Sequence, residues 1–115
     1  MADGQVQITL PPNQNIGVIG LANSAAAQQI DVAIDGKSVA TIAGQGNNNY
    51  LLGNKTFNSG SGKCTVTMSS YGKPLATVGA QVVLGNRLNS VVIGAEDHSD
   101  MDFFDGICIM TWPLG

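Results

Sequence analysis

Charged side chains are scarce in this chain: they make up 11% of its 115 residues, eight acidic and five basic. The basic ones, Lys37, Lys55, Lys63, Lys73 and Arg87, stand singly. They build no cationic patch, so neither nucleic acid nor an anionic membrane surface is expected as a partner. One histidine and two cysteines without Cys-x-x-Cys spacing are too few soft ligands for a zinc site. No apolar run approaches the ~18 residues a membrane-spanning helix needs. The first residues, Met1 to Gln5, offer neither a basic n-region nor an apolar h-region. The expectation is a soluble protein without a cleavable signal peptide, cytoplasmic, or released or surface-associated by another route. Cys64 and Cys108 lie in apolar, strand-like runs, and in a reducing compartment they read as free core thiols.

What the chain has instead is glycine, fifteen of them, and stretches rich in Asn, Ser, Thr and Val. That mixture suits short strands joined by tight turns. Hydrophobic residues reach 43%, enough for a compact core, and the length suits a single domain over residues 1–115. Read for period two, strands fall at 6–10, 16–22, 30–34, 37–43, 50–52, 64–68, 78–84, 88–95 and 106–112. Asp35-Gly36 marks a tight hairpin, and Tyr71-Gly72-Lys73-Pro74 closes another. The last strand is continuously apolar, which predicts a place in the middle of a sheet. Residues 23–29, with the run Ala25-Ala26-Ala27, are too short for a stable helix and read as a loop, as does the Gly/Asn stretch 44–49. The pattern predicts an all-β fold, a nine-stranded antiparallel two-sheet β-sandwich.

Five of the eight carboxylates, Glu96, Asp97, Asp100, Asp102 and Asp105, fall within ten residues that contain no Lys or Arg. Carboxylates at that density repel one another, so they splay into water, take up protons or share a cation. Hard oxygen donors in such number suit Ca²⁺, which takes about 6–8 oxygens. The apolar runs on both sides, Val91-Val92-Ile93 and Ile107-Cys108-Ile109-Met110, anchor the segment at its ends. Its spacing is not that of an EF-hand: counted from Asp100, position 5 is Phe104, position 6 is Asp105 where glycine is required, and position 12 is Thr111. Paired carboxylates also serve glycosidases, but nothing beyond them supports catalysis. His98 is the only histidine, and neither a Gly-x-Ser-x-Gly elbow nor a phosphate-cradling glycine motif is present. An enzyme is not expected.

The segment Glu96-Asp97-His98-Ser99-Asp100-Met101-Asp102-Phe103-Phe104-Asp105-Gly106, followed by Trp112-Pro113-Leu114-Gly115, resembles the LecB-type fucose- and mannose-binding lectins of bacteria. Thr9-Leu10-Pro11, Ala22-Asn23-Ser24, Asn58-Ser59-Gly60-Ser61-Gly62 and Gly72-Lys73-Pro74 resemble features of that family in the family's order. The resemblance implies a soluble bacterial sandwich protein that assembles as a homotetramer and holds two calcium ions per site, with a monosaccharide from a fucosylated or mannosylated glycan coordinated to both. By position, Glu96 and Asp100 bind one ion, Asp102 and Asp105 bridge the two, and Asn23 binds the second. The Gly115 carboxylate completes the second ion from a neighbouring subunit. Asp97 accepts a hydrogen bond from a sugar hydroxyl, and Ser24, Ala25 and Ala26 touch the sugar, serine leaning towards fucose. The sequence departs from the family pattern where Phe104 replaces an asparagine that binds the second calcium and His98 replaces a glycine. That departure keeps a second reading open, a family member with one calcium or none that binds another glycan or serves a structural role.

Overall fold

The computed structural model describes residues 4–84, 88–96 and 105–114. Among these the chain forms eight strands: β1 (Gln5–Thr9), β2 (Asn15–Ile34), β3 (Lys37–Asn58), β4 (Lys63–Ser70), β5 (Lys73–Pro74), β6 (Ala76–Leu84), β7 (Leu88–Glu96) and β8 (Gly106–Trp112). Every pairing is antiparallel. The main path runs β1-β4-β2-β8-β7-β6, with β3 added to β2 and β5 to β4.

The long strand β2 turns this single sheet into a sandwich. Its first part, Gly17 to Ala22, pairs with β8, and its last part, Gln29 to Ile34, pairs with β4. β3 follows it along both parts. One strand thus belongs to two layers, β8, β7 and β6 continuing the first and β4 and β1 the second. The layers face each other closely: a Cβ at Gly20 would lie 2.8 Å from Ile42 Cγ2 and 3.0 Å from Ile30 Cδ1. At the open side the edge strands meet, since a Cβ at Gly79 of β6 would lie 3.7 Å from Val6 Cγ1 of β1.

Strict alternation fills the space between the layers. Cys64, Val66 and Met68 of β4 point inward, as do Cys108, Met110 and Trp112 of β8 and Ile16, Val18, Ile30 and Val32 of β2. Burying each large apolar side chain contributes about 1.5–3 kcal/mol. β8 lies between β2 and β7, the central place its apolar run predicts. Both cysteines are free thiols in this core.

The all-β antiparallel sandwich is the expected one, with two corrections of detail. Residues 23–29 and 44–49 are not loops but lie within β2 and β3, so the strand segments expected on either side of them fuse pairwise. With the short β5 added, nine expected strands become eight among the described residues, in one folded sheet. Register shifts between Ala22 and Ser24 and between Ser24 and Gln28 break the period of two there. On β3, Asn48 and Asn49 adopt left-handed backbone conformations (φ 61° and 53°), which also interrupts alternation.

Candidate functional site

The same crossing that changes layers builds the site. Gly106 of β8 pairs with Ala22 on one side and Ala95 on the other, so the strand ends carrying Asn23, Glu96 and Asp105 come together. Two backbone bonds lock them: Asn23 N donates to Asp105 O at 2.9 Å, and Asp105 N donates to Ala95 O at 3.0 Å. The Asn23 side chain is held in turn by Asn49, its Nδ2 donating to Asn49 Oδ1 at 2.7 Å while Asn49 N donates to Asn23 Oδ1 at 2.7 Å. Ser24 Oγ accepts the Ala26 N–H at 3.0 Å, and Gln28 Nε2 donates to Ala26 O at 3.2 Å, so this short bulged stretch is shaped by its own side chains. Ala25 is exposed and Ala26 half-buried. Gln28 is 1% exposed and lies against the start of β8, where a Cβ at Gly106 would come within 2.8 Å of Gln28 Oε1.

Electrostatics set this end apart. Glu96 is only 3% exposed and Asp105 only 6%, although both are carboxylates at strand termini. A buried carboxylate is stable only where donors or a cation compensate for lost water. Glu96, Asp105 and Asn23 offer oxygen donors alone, the set that Ca²⁺ prefers. Asp97, Asp100 and Asp102 lie outside the described residues, as do His98, Phe104 and Gly115. Among the described residues no group of three His, Cys, Asp or Glu gathers. Of the candidates, Asn23, Ser24, Ala25, Ala26, Glu96 and Asp105 therefore occupy one end of the sandwich. Asn49 and Gln28 were not singled out from the sequence. Asn49 sits in a stretch read as a loop, and its contact with Asn23 spans 26 positions.

Size does not mark this place. A groove of about 790 Å³ lies at the opposite end, beside Asp35, Lys63 and Cys64. A smaller one, about 420 Å³, adjoins the site and is lined by Ala26, Glu96, Ser70, Tyr71 and Lys73 among others.

A sandwich that collects buried oxygen donors at one end, reached by a stretch of small side chains, has the build of a lectin, a sugar-binding module. The chain belongs to the fucose-binding lectin II (PA-IIL) family, whose sequence model matches residues 8–114. Solved structures agree. A high-affinity mannose-binding lectin of Ralstonia solanacearum shares 42% identity over 100% of both chains, with a TM-score of 0.93. The Chromobacterium violaceum lectin CV2L, solved in complex with alpha-methyl-fucoside, matches with the same identity, coverage and TM-score. The C-terminal domain of the BC2L-C lectin from Burkholderia cenocepacia shares 37% identity over 99% of this chain and 98% of that one, with a TM-score of 0.87. Among curated proteins the chain finds no match.

Proposed function

We propose that this protein is a calcium-dependent lectin for fucose- and mannose-type sugars on glycans, and not an enzyme. The observation that carries the reading is the burial of Glu96 and Asp105 at strand ends tied to Asn23. Two relatives support the sugar class: the Ralstonia protein is a mannose-binding lectin and the Chromobacterium protein binds a fucoside.

Calcium, when bound, supplies the charge that neutralises the carboxylates and the open positions that sugar hydroxyls fill. Glu96 and Asp100 would hold one ion, Asp102 and Asp105 would lie between two, and Asn23 would offer its Oδ1 to the second. Asp97 accepts a proton-donating bond from a hydroxyl, and Ser24, Ala25 and Ala26 present a small, close surface to the sugar ring. The Gly115 carboxylate would serve a neighbouring copy, in keeping with a homotetramer. Its neighbour Leu114 packs near Gly17, where a Cβ would be 3.4 Å from Leu114 Cδ2. Gly17 stands six positions before Asn23 on β2, about 20 Å at ~3.3 Å per residue.

Phe104 favours a second reading, in which only one ion binds tightly, because phenylalanine offers no oxygen where the family pattern has an amide. Metal analysis together with titration calorimetry of methyl fucoside and methyl mannoside, with and without chelator, tests both. Two calcium ions per chain and chelator-sensitive sugar binding are expected. One ion per chain supports the second reading, and sugar binding that survives complete chelation overturns the proposal.

A further inference from the structure

Two of the hairpins among the described residues use one turn with different residues. Asp35-Gly36 and Tyr71-Gly72 both have positive φ at each position, 53° and 80° in the first, 50° and 77° in the second. Both are two-residue connections, Ile34 pairing with Lys37 and Ser70 with Lys73. Such a turn favours Asn, Asp or Gly at its first position, where the side chain must tolerate the left-handed region. Asp35 follows that rule. Tyr71 breaks it, since a bulky residue at positive φ is held there under strain. The ring gains no burial in exchange: at 73% exposed, Tyr71 is the most open of the large hydrophobic residues among those described.

Where the strained ring stands gives it a use. The groove of about 420 Å³ is lined by Ala26 and the buried Glu96 together with Tyr71, Lys73 and Pro74. Its volume lies within the range of small-ligand pockets. Ala26 belongs to the stretch assigned to the first sugar, so the groove begins where that site ends. An aromatic face packs against the apolar face of a sugar ring while the phenol hydroxyl remains free to hydrogen-bond. The Lys73 ammonium adds three donors for hydroxyl oxygens. The Glu96 carboxylate, which lines the groove, disfavours a negatively charged ligand.

We propose that Tyr71 and Lys73 wall a second sugar subsite for the uncharged pyranose linked to the sugar held at the calcium site. The inference rests on the calcium-lectin reading, and its test separates the two. Calcium-loaded protein is titrated with methyl fucoside, methyl mannoside and a panel of fucosyl and mannosyl disaccharides that differ in linkage. The wild type is expected to bind at least one disaccharide roughly 3–10-fold more tightly than the matching monosaccharide, the worth of one aromatic contact. Tyr71→Asn removes the ring and relaxes the turn. It should abolish that preference while monosaccharide affinity and calcium stoichiometry stay unchanged and the melting temperature rises. Lys73→Gln should reduce the preference in part. Because Tyr71→Asn stabilises the hairpin, lost preference cannot be ascribed to misfolding. Monosaccharide binding with no disaccharide preference in the wild type, or a preference that persists in Tyr71→Asn, overturns the subsite alone. Absence of monosaccharide binding overturns the calcium-lectin reading, and the subsite with it.

Discussion

Asn23 and Asn49 grip each other twice, Asn23 Nδ2 on Asn49 Oδ1 and Asn49 N on Asn23 Oδ1, both at 2.7 Å. The pair fixes which end of the Asn23 amide is which, and so sets the direction in which its oxygen points. Groups that orient metal ligands typically contribute 10–100-fold to metal affinity. Asn49→Ala is therefore expected to weaken calcium binding by roughly tenfold or more at one site, measured by titration calorimetry. Asn49→Asp keeps an acceptor for Nδ2 and tolerates the left-handed backbone, so it should recover most of the loss. Equal calcium affinity in Asn49→Ala and wild type would show that Asn23 needs no such support.

How the sequence announces these features depends on whether they are local. β8 was legible to the residue at Gly106–Trp112 from its continuous apolar run, although only one of its faces, that of Cys108, Met110 and Trp112, is fully buried. β7 was legible to within one residue, Leu88–Glu96 against 88–95. The crossing of β2 was not, since register shifts around Ser24 erase the alternation that marks a strand. In the candidate site, charge density alone pointed to Glu96 and Asp105, whereas Asn23 was visible only through resemblance. Nothing local announces Asn49, whose role comes from a contact made by folding.

The two cysteines give the core a pH signature. Burial pushes the Cys64 thiol up to about 11, and burial together with the nearby Cys64 pushes Cys108 up to about 12, from an ordinary value of 9.0. Above pH 9 the unfolded chain releases these protons while the folded chain keeps them, so the unfolded state binds fewer protons and stability falls as pH rises towards 12. Below 9 both states keep them and no slope arises. The melting temperature should thus decline between pH 9 and 11, and Cys108→Ala should flatten that decline whatever its effect on stability at pH 7. Both thiols should resist alkylation at pH 8 until denaturant is added.

Gly20 tests the packing between layers. An added methyl would come within 2.8 Å of Ile42 Cγ2 and 3.0 Å of Ile30 Cδ1, both in the opposite layer. Overpacking of this kind costs about 1–3 kcal/mol, so Gly20→Ala is expected to lower the melting temperature by several degrees. Ile42→Ala opens the same space. The double substitution should then cost less than the two single losses added together, as neighbours sharing one volume do. Strict additivity in denaturant unfolding would mean that the layers yield instead of clashing.

The last prediction follows from charge held where water is excluded. Glu96 and Asp105 are 3% and 6% exposed at the adjoining ends of β7 and β8, and the segment between them carries three more carboxylates. Without a cation, each added negative charge raises the cost of the folded state through desolvation and repulsion among like charges. With calcium, the same charges become binding energy, and an ion that binds only the folded chain stabilises it by about 2.7 kcal/mol at a hundredfold excess over its Kd. Replacing a carboxylate by its neutral isostere should therefore change sign with conditions. Glu96→Gln and Asp105→Asn are each expected to melt above wild type in chelator and below it in excess calcium, so the two melting curves cross over on adding the ion. The crossing is the informative feature, because a purely structural carboxylate would lower stability in both conditions when replaced. If both variants melt below wild type by the same margin with and without calcium, Glu96 and Asp105 hold the strand ends together and do not serve an ion.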